Sequence, residues 1–292
     1  MPPISASQLT LSHHWLPYQP PYAWAPLQAF YAAHPVPAQE WLSEHQLGRT
    51  FSLNQAHGYF TATHYADRAG FDVTLAIDTP DRQDAVLQRI RHMLDLDINP
   101  VEIEAHLGAA YPHLELVEGL RIPRVWSVFE AGIRAILGQQ ISVGAASKLV
   151  NTLVMTLGES IETEQGIAYL FPEPARIATS DLQFLKMTGI RRDTLRRFTQ
   201  WYLNAGANAD DIETWETLKG VGPWTVNSAA MRGRGDQDMW IGSDLGIKKA
   251  ILALNEGELL DASLAAPWRS YLTQQLWSQP SAWAPARKRE RS

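Results

Sequence analysis

The sequence predicts an α+β protein of two domains, with a small antiparallel sheet and helices in residues 1–115 and an all-α domain in residues 116–292. Two patterns support this division. Apolar and polar residues alternate in several segments of the first part, as in strands that bury one face. From about Ile122 onward, apolar residues instead recur at the spacing of amphipathic helices.

The predicted N-terminal domain combines helices with strands. A first helix spans Trp24 to Ala33 and buries one face that contains Leu27, Phe30 and Tyr31. The strands follow at 50–54, 59–64 and 71–77, with turns at 57–58 and 68–70. Asp81 then begins a second helix, whose inner face carries Val86, Leu87, Ile90 and Leu94.

The second domain is predicted to be helical throughout. Its first helix is marked by Val125, Val128, Phe129, Ile133, Ile136 and Leu137, and Ser142 is a suitable N-cap for the next. A further helix is predicted after Ser180, with the apolar positions Leu182, Leu185 and Met187. All nine histidines precede Leu114, so acid–base chemistry in this domain would fall to a carboxylate rather than to an imidazole.

The composition narrows the functional classes. The absence of cysteine excludes disulfides, thiol catalysis and iron–sulfur clusters. No apolar run approaches the ~18 residues of a membrane span, and the N-terminus lacks the pattern of a signal peptide, so we expect a cytoplasmic protein without a membrane partner. The net charge of −6 is unusual for a protein that binds phosphates, but basic residues concentrate late in the chain, at Arg191, Arg192, Arg196, Arg197 and in the tail 286–292.

The most informative stretch is Leu218-Lys-Gly-Val-Gly-Pro-Trp-Thr225, which reads as the hairpin between two helices. Gly220 and Gly222 permit backbone angles that side chains disfavour, and they leave the amides of the hairpin open to a phosphate. Pro223 suits the first position of the second helix. The plainer interpretation, an ordinary helix end followed by a turn, remains open on this stretch alone.

A second informative position is Asp244, which opens another helix shortly after the hairpin. One interpretation is a helix N-cap without further function. The other is a carboxylate held at a helix N-terminus beside a cleft.

Together these residues resemble the helix-hairpin-helix superfamily of DNA glycosylases. The resemblance rests on 218–225 with Ser243-Asp244 at the proper distance, on Ile136-Leu-Gly-Gln-Gln-Ile-Ser142, on Pro20-Pro-Tyr-Ala-Trp24, and on Pro267-Trp-Arg-Ser-Tyr271. Within the superfamily, the sequence is most similar to the DNA-3-methyladenine glycosylase II family, in order from about Trp15 to Trp277. The all-α domain is accordingly expected to be the helix-hairpin-helix glycosylase core.

The resemblance implies a role for each matching residue. Asp244 is implied to be the catalytic aspartate, and Gln140 the residue that wedges into the gap left by a flipped base. The backbone at Gly220, Gly222 and Thr225 is implied to contact DNA phosphates. The base pocket is implied to be lined by Trp224, Trp277, Phe30, Ser228 and Leu245.

The same resemblance implies which cofactor to expect, and it shows where this sequence differs from the family. No cofactor is expected, apart from Na⁺ or K⁺ held at the hairpin by the carbonyls of Glu216, Leu218 and Val221. Gln140 is polar where the family has an apolar wedge. Ser228, Leu245 and Gly246 replace larger residues, which implies a roomier and less aromatic pocket.

The expected function is therefore that of a monofunctional DNA glycosylase of base excision repair, a hydrolase that flips alkylated purines such as 3-methyladenine and 7-methylguanine out of duplex DNA and excises them. The expected partner is damaged double-stranded DNA, with no protein partner and a monomer as the default. Two rivals stay open: a non-catalytic lesion-binding protein, and an oxidised-base glycosylase that also cleaves the strand. The second would need a nucleophilic lysine where this sequence has Trp224.

Overall fold

The computed structural model describes residues 2–254 and 260–279. The N-terminal part is built on a five-stranded antiparallel sheet with the order β1-β5-β4-β3-β2. Its strands are β1 (Thr10–Pro17), β2 (Glu40–Leu42), β3 (Gln46–Leu53), β4 (Ala56–Tyr65) and β5 (Gly70–Ile77). The α+β prediction is confirmed, and the three predicted strands correspond to β3, β4 and β5. The sequence reasoning missed β1 and β2.

Three helices accompany this sheet: α1 (Trp24–Ala33), α2 (Gln83–Met93) and α3 (Pro100–Ala110). The first two share one apolar core with the sheet, which includes Leu27, Phe60, Phe71 and Ile90. Helix α3 belongs to another core, where Ile103 and Leu107 pack with the last two helices of the chain. The N-terminal part therefore supports the C-terminal helices directly.

The C-terminal part is mainly helical. Its elements are α4 (Val128–Gly138), α5 (Val143–Leu157), the strands β6 (Ser160–Thr163) and β7 (Gly166–Tyr169), then α6 (Pro174–Thr179), α7 (Gly189–Ala205), α8 (Pro223–Ala229), α9 (Leu245–Leu254) and α10 (Arg269–Ser278). Ser142 caps α5 as predicted, with its hydroxyl accepting from the amide of Ala145. No helix in 2–254 or 260–279 is long and apolar enough to cross a membrane.

Two predictions for this part were wrong. The hairpin β6–β7 interrupts the region expected to be helical throughout. The helix expected after Ser180 is absent, and residues 181–188 run as turns and irregular chain between α6 and α7. Leu182 and Leu185 are nevertheless fully buried. Their apolar spacing reflects a loop that fills the core, because Leu182 has a positive φ of 56° that no helix allows.

Ion pairs inside the protein join the sheet to α4. Arg49 of β3 is fully buried and its Nη2 donates to Glu130 at 2.7 Å. Arg134 bridges Glu130 and Glu40, at 2.7 and 2.6 Å. Burial alone would raise the pKa of Glu130, but the Arg49 and Arg134 guanidiniums lower it below its ordinary value. We expect this ion cluster, defined as Glu40, Arg49, Glu130 and Arg134, to hold α4 firmly against the sheet.

The domain boundary near residue 115 stays a prediction. Side chains cross it in both directions, since Trp126 packs in the core of the sheet and Val36 packs in the core of the helical part. The basic tail 286–292 lies outside the described residues.

Candidate active site

A cavity of about 460 Å³ opens between α1 of the N-terminal part and the helices α4, α5, α8, α9 and α10. Its size falls in the ordinary range of small-molecule pockets. The six residues that the sequence assigned to catalysis and to the base pocket all line it: Phe30, Trp224, Ser228, Asp244, Leu245 and Trp277. These positions lie far apart in the chain, and the fold brings them together.

Asp244 stands immediately before α9, as the sequence predicted. Its Oδ1 accepts hydrogen bonds from the amides of Gly246 at 2.8 Å and Ile247 at 3.3 Å. These are the bonds of an N-cap, which satisfies amides that the helix itself leaves free. The side chain nevertheless lines the cavity. Asp244 therefore caps α9 and also faces the cleft.

Two tryptophans also donate hydrogen bonds to the carboxylate of Asp244. The indole Nε1 of Trp224, in the first turn of α8, donates to Oδ2 at 3.2 Å. The indole Nε1 of Trp277, near the end of α10, donates to Oδ1 at 3.1 Å. With the two backbone amides, the carboxylate accepts from four N–H groups. This set of donors suits a negative charge and fixes the orientation of the carboxylate.

An oriented carboxylate of this kind has a limited chemistry. It can stabilise a positive charge that develops beside it, and it can position or deprotonate a water molecule. The sequence assigned the two tryptophans to the base pocket for their rings. Their bonds to Asp244 were missed, because they depend on the convergence of three separate helices.

The cavity wall beside α1 contains two further residues that sequence reasoning missed, His34 and Arg232. Phe30 stacks against His34, with ring centroids 4.0 Å apart, and the guanidinium of Arg232 lies 4.2 Å from the Phe30 centroid. All three line the cavity. Burial, followed by the nearby Arg232, lowers the pKa of His34 to about 3, so this imidazole is neutral at physiological pH.

Ser228 and Leu245 complete the predicted pocket in different ways. Ser228 is half-buried in the cavity wall on α8. Leu245 begins α9 and is 67% exposed, so it lies at the cavity mouth rather than inside. The expectation of a less aromatic pocket concerns the substrate range and stays a prediction.

Gln140 occupies the turn between α4 and α5, outside the set that lines the cavity. It is exposed and has a positive φ of 59°. Its neighbour Gln139 ties this turn to the hairpin, because Nε2 donates to the Gly220 carbonyl at 2.9 Å and to the Thr225 hydroxyl at 3.0 Å. The turn at Gln140 and the hairpin thus form one connected surface.

The hairpin differs from the prediction in the helix that precedes it and in the roles of its two glycines. A 3₁₀ helix, Ile212–Thr217, precedes it in place of an α-helix. Gly220 has a φ of 94°, and a Cβ there would come within 2.3 Å of the Thr194 hydroxyl. Val221 is buried in the core of the helical part. Gly222 differs, because its φ of −118° is open to any residue and a Cβ there would meet nothing within 4 Å.

The three predicted phosphate contacts are not equivalent. The amides of Gly220 and Gly222 donate to no atom in the described ranges. Thr225 is 2% exposed, and its amide already donates to the Gly222 carbonyl at 2.9 Å. The two glycine amides are therefore better suited to an external anion than the amide of Thr225.

The fold, the glycine hairpin and the aspartate that follows it define the helix-hairpin-helix superfamily, to which DNA glycosylases belong. The AlkA N-terminal domain family matches residues 14–127. DNA-3-methyladenine glycosylase 2 of Escherichia coli is 30% identical over 285 residues, covering 92% of this chain and 98% of that protein. The chain therefore belongs to the DNA-3-methyladenine glycosylase 2 family.

Two further comparisons agree with this assignment. A protein of Mycobacterium tuberculosis described as a probable bifunctional transcriptional activator/DNA repair enzyme AlkA is 32% identical over 280 residues, which cover 90% of this chain and 56% of that protein. The solved structure of a 3-methyladenine DNA-glycosylase from Archaeoglobus fulgidus superposes with a TM-score of 0.74 at 18% identity, covering 90% of this chain and 97% of that one. The latter likeness establishes the fold.

Proposed function

We propose that this protein is a monofunctional DNA glycosylase that flips alkylated purines out of duplex DNA and hydrolyses their N-glycosidic bond, which leaves an abasic site. The observation that carries the proposal is the carboxylate of Asp244, held by two amides and two indoles at the wall of a cavity of about 460 Å³. Family membership supports the same activity, because the E. coli relative is named a DNA-3-methyladenine glycosylase.

The proposed reaction needs one carboxylate. Alkylation at N3 or N7 makes a purine cationic, so the base leaves as a neutral molecule without an acid to protonate it. As the C1′–N bond breaks, the sugar acquires oxocarbenium character, as in glycoside hydrolysis. Asp244 stabilises that charge and takes a proton from the water that attacks C1′. The four N–H donors keep the carboxylate in place while the charge develops.

The proposed interface with DNA lies around the hairpin. The free amides of Gly220 and Gly222 would hold a phosphate at the start of α8, where the helix dipole adds a favourable potential. Gln140 would enter the gap in the base stack, which offsets part of the cost of flipping. Because Gln140 is polar, it can also hydrogen-bond to the base left without a partner. Damaged double-stranded DNA is thus the proposed partner.

A monovalent cation at the hairpin is part of the proposal. The carbonyls of Glu216 and Val221 accept no hydrogen bond within 2–254 and 260–279, whereas the Leu218 carbonyl accepts one from the Val221 amide at 2.9 Å. A carbonyl oxygen has two lone pairs, so all three remain able to ligate Na⁺ or K⁺. A bound cation would add positive potential for the phosphate.

The activity is tested with DNA treated with a methylating agent. We expect the protein to release free 3-methyladenine and 7-methylguanine, measured by chromatography. The DNA strands should break at the abasic sites only after treatment with alkali. The absence of any free base would contradict the proposed function. Binding without release would instead support a lesion-binding protein.

Strand cleavage by the enzyme itself would support the rival with lyase activity. That chemistry needs an amine close to C1′. The hairpin position of the nucleophilic lysine is Trp224 here, although Lys249 of α9 also lines the cavity. We expect no covalent adduct when borohydride is added during the reaction. An adduct that disappears in Lys249→Met would overturn the monofunctional assignment.

The two hairpin glycines give a matched pair of variants. Gly220→Ala is expected to destabilise the protein by about 2–4 kcal/mol, because alanine is strained at this φ and collides with Thr194. Gly222→Ala is expected to change the free energy of unfolding by less than about 1 kcal/mol. Chemical denaturation checks both values.

The same pair separates folding from DNA contact. If the Gly222 amide approaches a phosphate closely, Gly222→Ala should weaken binding to duplex DNA while the protein remains stable. Unchanged affinity in titrations at fixed salt would argue against a phosphate at this amide.

A further inference from the structure

The guanidinium of Arg232 is an unusual component of the cavity wall. It lies in the π-helical turn Ala230–Arg234 that follows α8. Its Nε donates to the Pro123 carbonyl at 3.0 Å, and its Cζ lies 4.2 Å from the Phe30 ring centroid. Its two terminal nitrogens donate to no atom of the described residues. These nitrogens are the donors that Arg232 can offer to a molecule in the cavity.

Arg232 forms no ion pair with any residue in 2–254 or 260–279. Burial lowers the pKa of its guanidinium to about 10, which leaves it protonated at neutral pH. The nearest acidic groups on the neighbouring elements, Glu40 and Glu130, are engaged by Arg49 and Arg134 in the ion cluster. The Arg232 side chain is half-buried in the cavity wall, so an acceptor atom on a bound molecule can take the place of solvent at its terminal nitrogens.

The cavity therefore has a carboxylate on one wall and the guanidinium of Arg232 on another, and Arg134 and Lys249 also belong to its lining. Asp244 stands with the indoles of Trp224 and Trp277, and this side suits a cationic sugar or base. Arg232 stands with Phe30 and the neutral His34, and this side repels a cationic base. A carbonyl oxygen on a neutral base is complementary to it.

We propose that Arg232 extends the substrate range of the site to neutral oxo-bases, by donating a hydrogen bond to a carbonyl oxygen of the flipped base. This inference rests on the proposed glycosylase function and concerns the substrate class of the same site. The residue is one that directly contacts the base.

The chemistry explains why neutral bases need such a group. When the C1′–N9 bond of a neutral base such as hypoxanthine breaks, both electrons of the bond stay on the base, and the negative charge spreads to its 6-oxygen. Arg232 stabilises that charge as it develops. The attacking water gives its oxygen to C1′ and one proton to Asp244, and the released base anion takes a proton from solvent. A cationic base that has no carbonyl oxygen, such as 3-methyladenine, leaves neutral and gains nothing from Arg232.

The test compares hypoxanthine with 3-methyladenine, which is cationic in DNA and has no carbonyl oxygen. Single-turnover rates are measured for the wild type and for Arg232→Met, which keeps an apolar side chain on Phe30. We expect hypoxanthine release to fall about 10- to 100-fold relative to 3-methyladenine release, because only hypoxanthine can accept this hydrogen bond. Equal losses on both bases would overturn the role of Arg232.

A matched control is Arg68→Met. Arg68 also lies over an aromatic ring, with its Cζ 3.9 Å from the Trp15 centroid, but it lies in the turn between β4 and β5 and does not line the cavity. We expect both rates to stay at the wild-type level. Arg232→Lys keeps the charge and is expected to retain part of the preference for hypoxanthine. A folded Arg232→Lys that releases hypoxanthine no faster than Arg232→Met would show that the donor geometry of the guanidinium carries the effect, in support of the hydrogen bond.

A second arm needs no variant and so does not depend on the folding of Arg232→Met. DNA carrying unsubstituted purine in place of hypoxanthine lacks the 6-oxygen of the base and the N1–H that accompanies it. We expect the wild type to release hypoxanthine at least about 10-fold faster than purine. Equal rates would overturn the proposal even if methylated bases are released normally, whereas no release of any base would instead contradict the proposed function.

Discussion

Replacing Asp244 with asparagine is expected to reduce the release of alkylated purines by about 1,000-fold or more while the protein remains folded. Asparagine is a good N-cap, so its amide oxygen can still accept from the Gly246 amide and from the Trp277 indole. The amide nitrogen would then face the Trp224 Nε1, which is also a donor. The variant loses the negative charge and one hydrogen bond, but it keeps the start of α9.

Free-base release and denaturation, measured on the same preparation, check this result. We expect the free energy of unfolding to change by less than about 2 kcal/mol. A suitable control is Asp261→Asn, because Asp261 also caps a short helix through the Ser263 amide but lies outside the cavity-lining set. Full activity in Asp244→Asn would remove Asp244 from the mechanism.

The second large effect is expected at Trp277, where two substitutions separate the indole N–H from the ring. Trp277→Phe keeps an aromatic ring but loses the bond to Oδ1 of Asp244, so we expect every substrate to be released about 10-fold more slowly. Trp277→Ala also removes the electron-rich face. Release of cationic purines should then fall a further 3- to 30-fold or so relative to hypoxanthine, which is neutral.

Single-turnover rates on 3-methyladenine and hypoxanthine provide the measurement. Trp201→Phe serves as the control for the loss of an indole, since Trp201 packs on the core of the helical part, away from the cavity. Equal losses for both bases in Trp277→Ala would mean that the ring supplies shape alone. An unchanged rate in Trp277→Phe would mean that the N–H bond does not position the carboxylate.

Much of the fold was accessible from the sequence, because period and local chemistry agree in many elements. Strand β5 alternates cleanly, and Ser142 provides the cap of α5. The wrong predictions concern segments whose structure is decided by contacts with distant parts of the chain. Leu182 is buried from a loop, and the hairpin β6–β7 turns at Gly166, whose φ of 105° gives only a weak signal in a region with helical spacing on both sides.

The residues of the candidate site likewise fall into those that the sequence could locate and those that it could not. Asp244 and the glycines of the hairpin could be located, because each sits in a short local pattern with its own physical reason. The indole bonds to Asp244 could not, since Trp224 and Trp277 lie 20 and 33 residues away along the chain. Arg232 had one available signal, a single charge inside the apolar stretch Ser228-Ala-Ala-Met-Arg-Gly233. Its place beside Phe30 follows only from the packing of α1 on the helical part.

The ion cluster of Glu40, Arg49, Glu130 and Arg134 constrains how this enzyme can be rebuilt. Grafting the first half of a relative onto this helical core would replace Phe30 and His34, and with them one side of the lesion pocket. Such a chimera would also leave Glu130 and Arg134 buried without their ion-pair partners, unless residues matching Glu40 and Arg49 came with the graft. New substrate preferences in this chain are therefore easier to reach by point changes within the pocket than by exchanging halves.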